Sequence, residues 1–97
     1  MCERKYDIQL RTPVGDKYGC MLVSAVQGRL EGKLEVLGHC TNLSGEIDES
    51  GFCRISGQLI TALSTVPFCA MGYIRPKWLD LAFQHRQQPF QIIGNAR

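Results

Sequence analysis

A chain of 97 residues makes one small domain, and its apolar side chains must share a single core. A make-up of 44% hydrophobic and 21% charged residues excludes a disordered segment. The net charge of +2 is too weak and too scattered to mark a nucleic-acid footprint, and no apolar run is long enough to span a membrane as a helix.

The charged start, Met1 to Lys5, runs straight into a strand pattern with no apolar signal segment, so a cytoplasmic location is expected. Helix periodicity is nearly absent thereafter. Apolar residues alternate with polar ones at period two, and turn residues recur about every ten positions: Pro13 to Asp16, Gln27-Gly28, Gly38-His39, Glu49 to Gly51, Ser64-Thr65, Pro76-Lys77 and Gln87-Gln88. Eight strands follow, over residues 5–12, 18–26, 29–37, 40–47, 52–62, 66–75, 78–85 and 89–96.

The segment Gln9-Leu10-Arg11-Thr12 comes back 49 residues later as Gln58-Leu59-Ile60-Thr61. The same shift sets Cys20 on Cys69, Leu30 on Leu79, Leu43 on Ile92 and Gly45 on Gly94. This reads as two four-strand units, residues 5–47 and 52–96, within one domain. Equivalent positions should then point the same way. The set that includes Tyr6, Ile8, Leu10, Met21, Val23, Leu30, Leu34 and Leu43, with its counterparts in the second unit, contains no Asp, Glu, Lys or Arg, so it forms the core face.

Short connections favour an all-β antiparallel meander, and closing eight strands into a small barrel removes both edges. The rival architecture is an open β-sandwich. Inward glycines such as Gly32, Gly45 and Gly72 suit tightly bent strands. The Leu-x-Thr-Pro-Val-Gly turn (Leu10 to Gly15) and its partner Leu59-Ile60-Thr61-Ala62-Leu63 resemble a group of small, uncharacterised bacterial β proteins that carry Leu-Lys-Thr-Pro-Met-Gly in both halves. Here Ala62-Leu63-Ser64 replaces Pro-Met-Gly in the second. The architecture is similar to that of the calycin barrels, although the Gly-x-Trp of lipocalins is missing. Neither resemblance implies an activity.

Candidate chemistry is sparse. His85 is the one imidazole on the inner face, and at a barrel mouth it could act as an acid–base group or meet a ligand's acidic group. Equally, it is a strand-end His facing water. Thr12, Thr41 and Thr61, with Phe83, the Tyr6 hydroxyl and Cys53, put a few polar atoms in an apolar lumen, as a pocket for a small apolar ligand would. The alternative is that the threonines bond local backbone at turns.

Five cysteines, Cys2, Cys20, Cys40, Cys53 and Cys69, show no C-x-x-C spacing and read as free thiols. A zinc site around His39 and Cys40 is a lesser option, and no cofactor is expected. Cys20, Leu22, Cys69, Met71 and Tyr73 fall on the outward face, which suggests a homodimer packed through strands 18–26 and 66–75. Disulfide pairing of Cys20 with Cys69 is a further option, and Trp78 could anchor an interface. The leading expectation is non-enzymatic binding of a small apolar ligand or a protein partner. The alternatives are an oligomeric module with a packed lumen, and an accessory enzyme that uses His85.

Overall fold

A computed structural model describes residues 2–13, 15–60 and 64–97. Its eight strands are β1 (Cys2–Thr12), β2 (Gly15–Val26), β3 (Arg29–Val36), β4 (His39–Ile47), β5 (Phe52–Ile60), β6 (Thr65–Ile74), β7 (Trp78–His85) and β8 (Gln88–Ala96). Each pairs antiparallel with the next, and β8 pairs with β1, which closes an all-β meander barrel. This is the architecture that the calycin likeness implies. The open sandwich is thereby set aside. The expected end of the fifth strand, residues 61–62, lies outside the described residues, as does Thr61.

The largest shifts are at the starts of β1 and β2, which move outward to Cys2 and Gly15. The expected start at residue 5 misses Cys2 to Arg4, which pair with Val23 to Ala25 on β2. The charged run Glu3-Arg4-Lys5 hides the alternation there, but backbone pairing carries the strand through it. As a result Arg4 joins the inward row, opposite Val23.

The core face agrees with the alternation. Leu30, Leu79, Leu43 and Ile92 are all buried, with Tyr6, Leu10, Met21, Leu34, Ile55 and Leu81. Among the described residues, the fully buried ones include no polar or charged side chain other than the Tyr6 hydroxyl and the Cys53 thiol. An eight-stranded barrel leaves an interior just wide enough for side chains, and these residues fill its middle.

The hairpin registers of the first half recur 49 residues on. Tyr6 faces Met21 as Ile55 faces Ala70. Val23 faces Gly32 as Gly72 faces Leu81, and Leu30 faces Gly45 as Leu79 faces Gly94. In the Val23/Gly32 and Gly72/Leu81 pairs one partner is a glycine for a specific reason. A Cβ on Gly32 would run into the Leu22 carbonyl oxygen, and one on Gly72 into the Asp80 carbonyl oxygen. The sheet bends sharply enough there to bring the neighbouring backbone against the Cα. The obstacle to a side chain at these glycines is the backbone of the adjacent strand.

Tight turns complete the hairpins. Gln27-Gly28, Leu37-Gly38 and Arg86-Gln87 all have positive φ at both central residues, the mirror-image turn that matches strand twist.

Candidate functional site

The barrel has two ends. At the one where odd-numbered strands finish lie the expected ligand residues Thr12, Thr41, Phe83 and His85. Thr12 Oγ1 donates to the Gly15 carbonyl at 2.7 Å, within its own turn. Thr41 Oγ1 donates to the Gln58 carbonyl at 2.8 Å. That bond ties β4 to β5 beyond the end of their ladder, which runs only from Ser44/Ser56 to Ile47/Cys53.

Phe83 lies between two rings, stacked on Phe68 (centroids 4.6 Å apart) and on Phe90 (5.0 Å). The β6–β7 ladder stops at Met71/Ala82, so the Phe68–Phe83 stack carries the contact past it. These rings plug the end of the barrel and occupy the space a ligand would need.

His85 is half-buried, edge-on to Phe90 at 6.3 Å, and has no hydrogen-bond partner among the described residues.

The opposite end is built differently. Backbone hydrogen bonds run around its rim: Ile47 N–H to the Gly28 carbonyl, Ile74 N–H to Gly51, Ala96 N–H to Lys77 and Arg97 N–H to Lys5, all at 2.9–3.0 Å. The fully buried Tyr6 reaches the same rim, its hydroxyl donating to the Arg75 carbonyl at 2.6 Å. Asp48 organises the β4–β5 turn by accepting at Oδ1 from Ser50 N–H (2.8 Å), Ser50 Oγ (2.6 Å) and Phe52 N–H (3.2 Å). The Ser50 hydroxyl bond, aided by these N–H groups, holds its carboxyl below the ordinary 3.8. Burial pushes the Cys53 thiol up to about 11, with the Asp48 charge adding to it. Within this rim opens a cavity of about 390 Å³, floored by Val23, Leu30 and Ile74 and bordered by Arg4, Asp48, Glu49 and Arg75.

The outer wall carries the remaining candidates, and ring order divides them. β2 and β6 stand half a turn apart in an eight-strand meander, so the expected interface cannot form one patch. On β2, Cys20 and Leu22 are half-buried in a groove bordered by Lys5, Lys33, Glu35 and Arg97. The Cys20–Cys69 disulfide is excluded within one chain, since the two side chains leave opposite walls. Cys20, Cys40, Cys53 and Cys69 are free thiols. No group of three His, Cys, Asp or Glu residues among the described residues could hold a metal ion.

On the β5–β7 wall the apolar residues do adjoin one another. Phe52 pairs with Tyr73 across the ladder and meets its ring edge-on at 5.5 Å. Met71, two residues along β6, pairs with Ala82, and Arg75 N–H bonds the Trp78 carbonyl at 2.8 Å, which sets Trp78 at the same edge. Phe52, Met71, Tyr73 and Trp78 are 38–47% exposed. Arg54 on β5, opposite Met71, and Asp80 on β7, opposite Tyr73, flank this patch.

No family model, curated protein or solved structure matches the chain. Its chemistry therefore has to be argued from its own residues. Sequence reading found Met71, Tyr73 and Trp78 by parity but passed over Phe52, whose place beside Tyr73 depends on the β5–β6 register. It also passed over Arg4, concealed in a charged run.

Proposed function

We propose that the protein is a non-enzymatic binding module whose β5–β7 wall docks a second copy of the chain. The observation that carries this reading is the exposed cluster of Phe52, Met71, Tyr73 and Trp78 on three adjoining strands. Monomers seldom leave such a contiguous apolar surface open, and aromatic residues with Met are the types enriched where interfaces anchor.

Charge placement favours a like partner. Arg54 lies to one side of β6 and Asp80 to the other. A two-fold axis running along β6 carries the β5 side of one copy over the β7 side of its mate, so each Arg54 approaches the other's Asp80. That is the self-complementarity an isologous interface requires. The half-buried β2 groove plays no part in it. The free thiols at Cys20, Cys40 and Cys69 support a reducing, cytoplasmic setting. The recurring registers support a tandem origin for residues 5–47 and 52–96.

Sedimentation velocity between about 5 and 500 μM tests the proposal, since an interface of standard size, ~800 Å² per partner, holds in that range. The wild type should sediment as a dimer and Met71→Asp as a monomer with an unchanged circular-dichroism spectrum. A wild type that stays monomeric at the upper concentration would end this reading.

A further inference from the structure

The mouth cavity at the hydrogen-bonded rim does not depend on the outer wall. Its floor is aliphatic: Val23, Leu30 and Ile74 are each 3–4% exposed, so their side chains are fixed by the core beneath. Its volume of about 390 Å³ falls in the range of small-molecule sites. The rim is already tied together by backbone bonds from β2 round to β1 and by the Tyr6 hydroxyl, so binding would cost little ordering.

The border charges are of both signs. Arg75 lays its stem against Gly51, where a Cβ would lie 3.0 Å from its Cδ, and among the described residues its guanidinium has no side-chain partner. Glu49 also has no partner among the described residues, whereas Asp48 spends Oδ1 on its own turn. Arg4 adds a second cation on the inward row beside Val23. A plain anion placed here gains Arg75 and meets Glu49 as a like charge, and a plain cation suffers the reverse. A molecule that bears both charges answers both borders and can still lay an aliphatic group on the floor.

We propose that this mouth binds a small apolar zwitterion of the α-amino acid class, its carboxylate on Arg75 and Arg4, its ammonium on Glu49, and its side chain on Val23, Leu30 and Ile74. The site has the tools for recognition: charges of both signs around an aliphatic floor.

The test is an amide NMR titration of the full chain with L-leucine, 4-methylpentanoate (leucine without its amine) and 3-methylbutylamine (leucine without its carboxylate). Leucine should give saturable shifts confined to Val23, Leu30, Gly51, Ile74 and Arg75, and each one-charge analogue should bind about fivefold more weakly, as expected for losing one solvent-exposed ion pair. Arg75→Gln should weaken leucine about fivefold and tighten the amine by removing its like charge; Glu49→Gln should weaken leucine and tighten the acid for the same reason. Both are surface changes, and matching melting curves confirm that the variants are folded. The proposal fails if leucine moves none of these amides up to about 20 mM, well above a ~1 mM Kd. It fails equally if the acid binds as tightly as leucine, or if Glu49→Gln has no effect on leucine.

Discussion

Replacing Phe83 by Ala separates a ligand-contacting Phe from a structural one. In the structure Phe83 is 5% exposed and stacked on both Phe68 and Phe90. Burying a ring of this size contributes roughly 2–3 kcal/mol, and each ring–ring contact adds about 0.5–1.5 kcal/mol. The total of about 3–6 kcal/mol spans the roughly 3–5 kcal/mol that truncating a core Phe usually costs. Because the β6–β7 ladder stops at Met71/Ala82, no pairing with β7 holds Phe68 once the ring is gone, and its backbone is held from the β5 side, opposite Gly57.

The assay is urea denaturation followed by the fluorescence of Trp78, the single tryptophan. Trp78 begins β7 while Phe83 lies near its other end, so a shifted midpoint reports global unfolding rather than a change beside the probe. Against a total stability of ~5–15 kcal/mol, the loss should leave a folded but marginal protein. Phe83→Leu keeps most of the volume and should cost about 1.5 kcal/mol or less. If Phe83→Ala cost under about 1 kcal/mol, the rings would not be the plug described here, and the ligand role for this end would reopen.

Other consequences can be checked with standard measurements. Gly72→Ala forces the Asp80 carbonyl aside and should lower the urea-derived stability by about 1–3 kcal/mol, the range for overpacking. Cys53 should resist thiol reagents at pH 8 in the native state, since burial lifts its thiol to about 11, while Cys40 and Cys69, both exposed, should react at once; labelling followed by mass spectrometry decides it. Asp48 has its carboxyl held below 3.8 in the folded state, so its stabilisation is full above that value and fades as pH falls through the lower folded one. Asp48→Asn should therefore lower the melting temperature at pH 7 and bring it toward the wild type's at pH 2–3.

The architecture was legible because the chain alternates cleanly wherever both faces matter. Leu30/Leu79 and Leu43/Ile92 had no charged neighbour on their own face, and all four are buried. Strand count followed from turn spacing, which left barrel and sandwich both open; the pairing of β8 with β1 decides for the barrel. The failures share a physical cause: parity tells inside from outside, but it does not say which wall or which end. Cys20 and Cys69 have the same parity and the same place in their units, yet ring order sends them to opposite sides. Thr12 and Thr41 reach the expected end, yet short bonds to carbonyls use their hydroxyls, and one-dimensional patterns do not carry acceptor positions. Arg4 was missed because a run of three charged residues has no period to read.

The asymmetry between the two ends explains where binding chemistry can reside. An end closed by stacked rings gains its stability from excluding everything else, so a ligand there would have to displace Phe83 at a cost of several kcal/mol. An end closed by backbone bonds around a rim leaves its centre free, because the N–H and C=O groups satisfy one another along the circumference and need no side chain in the middle. Pre-formed space with polar groups only at its border is what a small-molecule site requires. The β1 extension brings Arg4 to an opening whose border already carries Asp48, Glu49 and Arg75.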